Sequence, residues 1–357
     1  MIGRVFRQTM QVSEDFGLQK EADKWKIYSA RPGIWWSDKL RRWMVVDPDL
    51  IRQVMTDPVY VVSNYDFASI SERLGVDLVH LERIRHFIPL AWEGKIHKEL
   101  RERFSREIAA RSPGALAVFE ATLKQEIESN FRAGASFCLI KSVIAPALRQ
   151  ANLFLAGYPE IDETHLLAIE TIPQFFDPEI SLRKRIEINE LVGKLHRLAR
   201  PEASESERYV SIAIIALSMN TLLGSFSESL RYILSQNIGK KLGEIAWDEN
   251  SPATGLPLIE KTANTDTELG GMPVRAKQRL RLFLDAGGWQ SDRPQFNDLY
   301  FSIGPHKCPG MNYSRQAWRV LVKNLSSLET SCESINIKYR TKDYVFNLIE
   351  KFEVSLK

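Results

Sequence analysis

The sequence predicts a mostly α fold with small antiparallel β sheets, on three observations. Apolar residues recur at helical spacing through 93–110, 114–130, 139–157, 181–198 and 208–245, with few breakers inside those stretches. Between Glu260 and Ala286 the texture changes to Thr-rich alternation, a Gly270-Gly271 turn and the apolar run LRLFL, which reads as a small antiparallel β region. No internal repeat, low-complexity tract or Pro/Gly/Ser-rich linker divides the 357 residues, so one domain over 1–357 is expected, with a small β-containing lobe and a larger helical one.

Taken in order, the stretch RRWMVVDPDLIRQVM places a short β-branched run before Asp47-Pro48, then a helix with Ile51, Val54 and Met55 inward. This is a strand feeding a helix. The helical middle of the chain follows, interrupted by the polar loop PEASESE at Pro201 to Glu207. After the β region, NYSRQAWRVLVKNLSSL beyond Gly310 puts Ala317, Leu321 and Leu328 on one face, with Val320 and Asn324 alongside, as a buried helix does.

Composition narrows the class. With 44% hydrophobic and 26% charged residues the chain reads as a soluble globular protein. A formal net charge of +3, from 48 basic and 45 acidic residues, gives no field that would favour nucleic acid. The longest apolar run, Ile212 to Leu217, is far below the roughly 20 residues that span a bilayer, so no membrane partner is expected. The N-terminal MIGRVFRQTMQVSEDF carries charge without a following apolar run, unlike a secretory signal. Cys138, Cys308 and Cys332 are widely spaced and odd in number, which suggests neither disulfides nor a zinc cluster and fits a reducing cytoplasm.

One cysteine sits in a distinctive setting. The segment Phe301-Ser-Ile-Gly304-Pro-His306-Lys-Cys308-Pro-Gly310 has the form F-x-x-G-x-x-x-C-x-G. From the chain's own frequencies of those residues, such a match arises by chance in about 4 of 10,000 chains of this length. Glycines let backbone approach a flat ligand, and the amides of a following helix N-terminus stabilise a thiolate. This loop resembles the iron-ligand loop of the cytochrome P450 superfamily. The resemblance implies the cytochrome P450 fold, with haem b (iron protoporphyrin IX) between a distal long helix and a proximal Cys loop. It makes Cys308 the iron ligand, with Phe301, Gly304 and Gly310 shaping the loop. A thiolate ligand pushes electron density through iron and favours O–O cleavage.

Further residues carry the resemblance. His97 and Arg101 in WEGKIHKELR look like the family's H-x-x-x-R pair, four residues apart on one helix face, which would bind a haem propionate by charge-assisted hydrogen bonds. Lys261-Thr-Ala is similar to the family's R-x-A strand. Lys261 then replaces a propionate-binding arginine, keeping the charge but losing the planar fork. Asp266-Thr-Glu-Leu-Gly-Gly-Met-Pro resembles the following hairpin, and His306 occupies another propionate-binding place.

Two places depart from the pattern. In the long helix the family's A-G-x-D/E-T becomes Leu217-Ser218-Met219-Asn220-Thr221. Thr221 retains the hydroxyl, whereas the Asn220 amide cannot relay protons as a carboxylate does. The family's E-x-x-R on its K helix becomes Glu244-Ile-Ala-Trp247, where the indole must replace a charged network by packing and a hydrogen bond.

The implied activity is a monooxygenase acting on a small organic substrate in specialised metabolism, with electrons from a ferredoxin or similar donor. Lys307, Arg315 and Arg319 are candidates for docking that acidic partner. Asn220 motivates an alternative, a haem-thiolate peroxygenase, dehydratase or isomerase that needs no reductive oxygen activation. The lost arginine motivates another, a haem-free relative that serves as a partner for a biosynthetic enzyme.

Overall fold

The structure is a computed structural model that describes residues 30–63, 67–132, 134–158, 169–177, 180–286, 289–290, 293–294, 296–340 and 345–357. The N-terminal segment read above, Met1 to Phe16, lies outside the described residues, as does part of the Asp285 to Tyr300 connection. In chain order the main elements are β1 (Ile34–Ser37), β2 (Arg42–Val45), α1 (Pro48–Thr56), β3 (Tyr60–Val62), α2 (Phe67–Leu74), α3 (Val79–His86), α4 (Gly94–Asn130) and β4 (Ser136–Cys138). Then come α5 (Ala145–Ala156), α6 (Leu182–Leu198), α7 (Glu205–Ser235), β5 (Leu258–Ala263), β6 (Thr267–Leu269), β7 (Met272–Val274), β8 (Arg279–Phe283), α8 (Met311–Leu325), β9 (Cys332–Tyr339) and β10 (Ile349–Leu356). Helix dominates, as the spacing predicts.

The chain divides into two compact units, one from Met1–Ser63 and Pro252–Cys308, the other from Asn64–Ser251 and Pro309–Lys357. The first is built on a five-stranded sheet of order β1-β2-β8-β5-β3. The sheet is mixed rather than wholly antiparallel, because β2 runs parallel to β8 in the register Val45↔Leu282. Asp47 caps α1 by accepting from the Asp49 and Leu50 amides at 2.9 and 3.0 Å, and Pro48 fits the first turn, where an N–H would be idle. Ile51, Val54 and Met55 then pack with Trp43, Val45, Leu280 and Leu282 into this unit's core, as their spacing predicts. Glu260 on β5 is enclosed by Arg281 at 2.7 Å and Arg42. Burial works to raise its pKa, but the two guanidiniums overcome it and hold the carboxyl below its ordinary value.

The second unit packs α4, α5, α7 and α8 together, with Phe226 of α7 touching Phe119 of α4 and Trp318 of α8 at ring separations of 6.3 and 5.5 Å. A three-stranded sheet of order β9-β10-β4 completes it. Helix α4 corrects the expected break near residue 112: it runs 37 residues straight through Pro113. Local packing outweighs the roughly 3 kcal/mol that an interior proline costs. Ser112 donates to the Ile108 carbonyl at 2.6 Å, and Gly114 lies so close to the Phe154 ring that a Cβ would fall 2.4 Å from it.

Other boundaries also differ from expectation. Helix α7 starts earlier, inside the expected loop, because Ser204 and Glu207 form a capping box. It ends at Ser235 rather than 245, and Leu328 lies beyond the end of α8 at Leu325. Among the described residues α7 alone is long and apolar enough to cross a membrane, and 72% of its most apolar stretch is buried inside the protein.

Candidate functional site

In the first unit the cysteine loop is assembled from two short 3-10 turns, Asp298–Phe301 and Gly304–His306. Asn297 caps the first by accepting from the Leu299 amide at 2.9 Å. Asp298 accepts both guanidinium nitrogens of Arg52, at 2.9 and 3.1 Å, which ties the loop's start to α1 and depresses the Asp298 pKa. Gly304 has φ +67, and a Cβ there would lie 3.2 Å from the Met55 carbonyl, so the second turn admits only glycine without strain. The loop closes where the Cys308 N–H donates to the Phe301 carbonyl at 2.7 Å. Cys308 is partly exposed, His306 is buried and Lys307 is exposed. Lys261 is buried on β5, between Val62 of β3 and Leu280 of β8.

The thiols are not equivalent. Cys332 is buried, donates to the Ser334 carbonyl at 3.5 Å, and has its pKa pushed up to about 11 by burial. Cys138 lies in β4, where its sulfur accepts from the Phe352 amide at 3.5 Å. Cys308 alone combines partial exposure with a glycine-bent loop, the setting a single thiolate ligand requires. The donor set fits a haem-thiolate centre.

The second unit carries the other predicted residues. His97 is buried on α4, and Arg101, Phe104 and Ile108 continue its face at helical intervals. Asn220 and Thr221 lie mid-way along α7. Almost all of that helix between Ile212 and Leu230 is buried; the exceptions, Leu217, Ser218, Thr221 and Ser225, form one partly exposed stripe. Thr221 donates to the Leu217 carbonyl at 2.9 Å. Asn220 is 1% exposed, and neither its amide nitrogen nor its carbonyl oxygen has a hydrogen-bond partner among the described residues. A buried carboxamide in that condition costs on the order of 1–3 kcal/mol per group unless water or a ligand satisfies it. Gly310 is the N-cap residue of α8, its carbonyl accepting from the Ser314 amide at 2.9 Å.

Glu244-Ile-Ala-Trp247 does not lie on a helix. Glu244 ends a 3-10 turn from Leu242, and Ile245 is extended at φ −76, ψ 132. The Trp247 indole donates to the Leu242 carbonyl at 3.0 Å, and Trp318 of α8 donates to the Asp248 carbonyl at 3.0 Å, so indoles hold this segment. Sequence reasoning overlooked a second E-x-x-R, Glu228-Ser-Leu-Arg231, which the structure pairs at 2.8 Å near the end of α7. Burial and the Glu228 carboxylate together push the Tyr339 phenol of β9 upward, and that phenol hydrogen-bonds Glu228. The tetrapeptide was readable, but it fell inside a helix whose apolar spacing already explained it. A crevice elsewhere in this unit, lined by Arg103, Glu107, Arg111, Glu207 and Arg208, contains none of the predicted residues.

No family model matches the chain, and no curated protein matches it by sequence. Solved structures do match. P450BioI, in complex with acyl carrier protein ligated to hexadec-9Z-enoic acid, aligns with TM-score 0.71 at 16% identity over 96% of this chain and 100% of that one. Epothilone D-bound cytochrome P450epoK aligns with TM-score 0.75 at 14% identity over 93% and 94%. CYP109B1 from Bacillus subtilis aligns with TM-score 0.66 at 13% identity over 93% and 98%. The chain has the cytochrome P450 fold, mostly helical with small sheets.

Proposed function

We propose that this chain is a cytochrome P450-type haem-thiolate enzyme that oxidises a small organic molecule with dioxygen, as a cytoplasmic enzyme of specialised metabolism. The observation that carries the reading is Cys308, a partly exposed thiol in a loop whose left-handed turn at Gly304 only glycine takes without strain, on a chain with this fold. When bound, haem b supplies the one-electron and dioxygen chemistry, which thiolate ligation steers toward O–O cleavage.

The chain's own residues bind and orient. Cys308 holds the iron; Phe301, Gly304 and Gly310 shape the loop. His97, Arg101, Lys261 and His306 hold the propionates by charge-assisted hydrogen bonds. Thr221 offers hydroxyl lone pairs, since its proton is committed to the Leu217 carbonyl. A ferredoxin-like electron donor is the expected protein partner, with Lys307, Arg315 and Arg319 as its docking charges. P450BioI was solved with an acyl carrier protein, so carrier-tethered acyl chains belong in the substrate screen beside free metabolites. All three cysteines are free thiols, which supports a reducing compartment.

One observation favours a second reading. The buried amide of Asn220, without a partner among the described residues, cannot deliver protons, which suits chemistry without reductive oxygen activation, such as a peroxygenase, dehydratase or isomerase. The test compares oxidation by dioxygen plus a ferredoxin and its reductase with oxidation by hydrogen peroxide, in the native chain and in Asn220→Asp. The proposal expects reductase-driven turnover that Asn220→Asp maintains or raises. Turnover with peroxide alone, unchanged in the variant, would replace it with the second reading.

A further inference from the structure

Ser218, Thr221, Ser225 and Ser229 of α7 are spaced i, i+3, i+7 and i+11, which places four hydroxyls along one helix face. Ser251, just after the indole-held segment at Trp247, closes on the last two: its Oγ lies 2.7 Å from Ser225 Oγ and 2.6 Å from Ser229 Oγ. At the other end Ser218 donates to the Ile214 carbonyl at 2.7 Å and Thr221 to the Leu217 carbonyl at 2.9 Å. A hydroxyl has one proton and two lone pairs, so Ser218 and Thr221 present acceptors outward. Thr221 and Ser225 are one helical turn apart, with Cβ atoms about 5–6 Å apart, the span a single water bridges. Asn220 projects from a different face of the helix and has no titratable proton.

We propose that Ser251 and Ser225 form a proton relay that ends at Thr221 and does the work a carboxylate at position 220 would otherwise do. The proposal rests on the reading of the chain as a dioxygen-using haem-thiolate enzyme. In that reaction class one dioxygen, two electrons from the one-electron donor and two protons convert substrate to its oxygenated product and one water. A proton from solvent arrives at Ser251 Oγ, which is partly exposed, as Ser251 passes its own proton to Ser225 Oγ. Ser225 passes its proton to the water bridging to Thr221, and that water releases one of its own protons to the dioxygen being reduced while its other hydrogen stays hydrogen-bonded to the Thr221 hydroxyl oxygen. The hydroxyls rotate back, leaving every group neutral. Ser229, fully buried, holds the Ser251 rotamer.

The alternative is that Ser251 merely ties its segment to α7, and two oxidants separate the two roles. Full-length, haem-loaded protein oxidises a chromogenic aromatic substrate with dioxygen plus ferredoxin and reductase, or with hydrogen peroxide, which brings its own protons. Ser251→Ala and Ser225→Ala should lower dioxygen-driven product per electron pair at least about tenfold, the low side of what lost proton transfer costs. They should leave peroxide-driven turnover and melting temperature near the native values, and Ser251→Thr should restore coupling. Independently of activity, a high-resolution crystal structure should show a water within hydrogen-bond distance of Thr221 Oγ1 and Ser225 Oγ, absent in Ser225→Ala. Equal losses with both oxidants, a lowered melting temperature with unchanged coupling, no such water, or native turnover with peroxide alone would overturn the relay. A chain that takes up no haem overturns the functional reading and the relay with it, whereas haem-loaded variants that match the native protein overturn the relay alone.

Discussion

The Cys308 N–H donates to the Phe301 carbonyl at 2.7 Å, and this bond closes a loop whose middle residue, Gly304, sits at φ +67. Left-handed backbone costs an ordinary residue roughly 1–2 kcal/mol, and a Cβ at Gly304 would also press on the Met55 carbonyl at 3.2 Å. Gly304→Ala should therefore lower the urea midpoint more than Gly271→Ala, where φ is +76 but a Cβ would meet open space. Equal losses in the two variants would mean that the Met55 contact does not constrain the loop.

His97 and Arg101 occupy one face of α4, and each proposed propionate contact is a charge-assisted bond worth roughly 1.5–3 kcal/mol. Single alanine variants should lower haem occupancy without unfolding the chain, and the double variant should be worst. The Soret to protein absorbance ratio measures this; full retention in the double variant removes the role from this helix.

Glu260 tests the sheet of the first unit. Its carboxylate is largely enclosed between Arg281 and Arg42, so Glu260→Gln leaves two guanidiniums without their counter-charge and should cost on the order of 3 kcal/mol. Because the folded pKa is depressed, this stabilisation is complete above the ordinary value of 4.5 and is lost as pH falls through the folded pKa. Denaturation at pH 7 and near pH 3 should show the native and variant proteins converging in acid.

Legibility in the sequence followed the physics of each element. The Cys308 loop was readable because glycines, a ligand-type thiol and a following helix stand at fixed spacing, and the strand feeding α1 was readable because a β-branched run followed by Asp47-Pro48 is a local signal. The break expected near Pro113 failed because the Gly114 and Phe154 packing that carries α4 through it is tertiary. Helix to residue 245 was expected from apolar spacing that continues past the true end at Ser235, where the chain turns into indole-held coil. The unsatisfied state of the Asn220 amide, and the closure of Ser251 on α7, depend on what packs against them and left no sequence signal.

His80 of α3, His196 of α6 and Tyr209 of α7 meet in the second unit, with His80 Nδ1 2.9 Å from the Tyr209 hydroxyl and the His196 and Tyr209 rings 4.7 Å apart. Burial lowers both histidine pKa values; at His80 it outweighs the opposing Asp77 carboxylate, with a smaller push from Arg197, and at His196 Arg208 adds to it against weaker opposition from Glu205. The unfolded chain then binds more protons than the folded one, so stability is complete above the ordinary value of 6.5 and declines as pH falls below it. The urea midpoint should fall between pH 7.5 and 5.5, with a shallower slope in a His80→Asn, His196→Asn double variant. An unchanged slope in that variant would place the pH sensitivity elsewhere.

The central claim is that Cys308 ligates haem iron, and the absorption spectrum of the reduced, carbon monoxide-treated protein tests it most directly. The native chain, Cys138→Ala and Cys332→Ala should all give the thiolate-type Soret band, and Cys308→Ala should lose it. A band that survives Cys308→Ala, or one that disappears with Cys138→Ala or Cys332→Ala instead, would contradict the assignment.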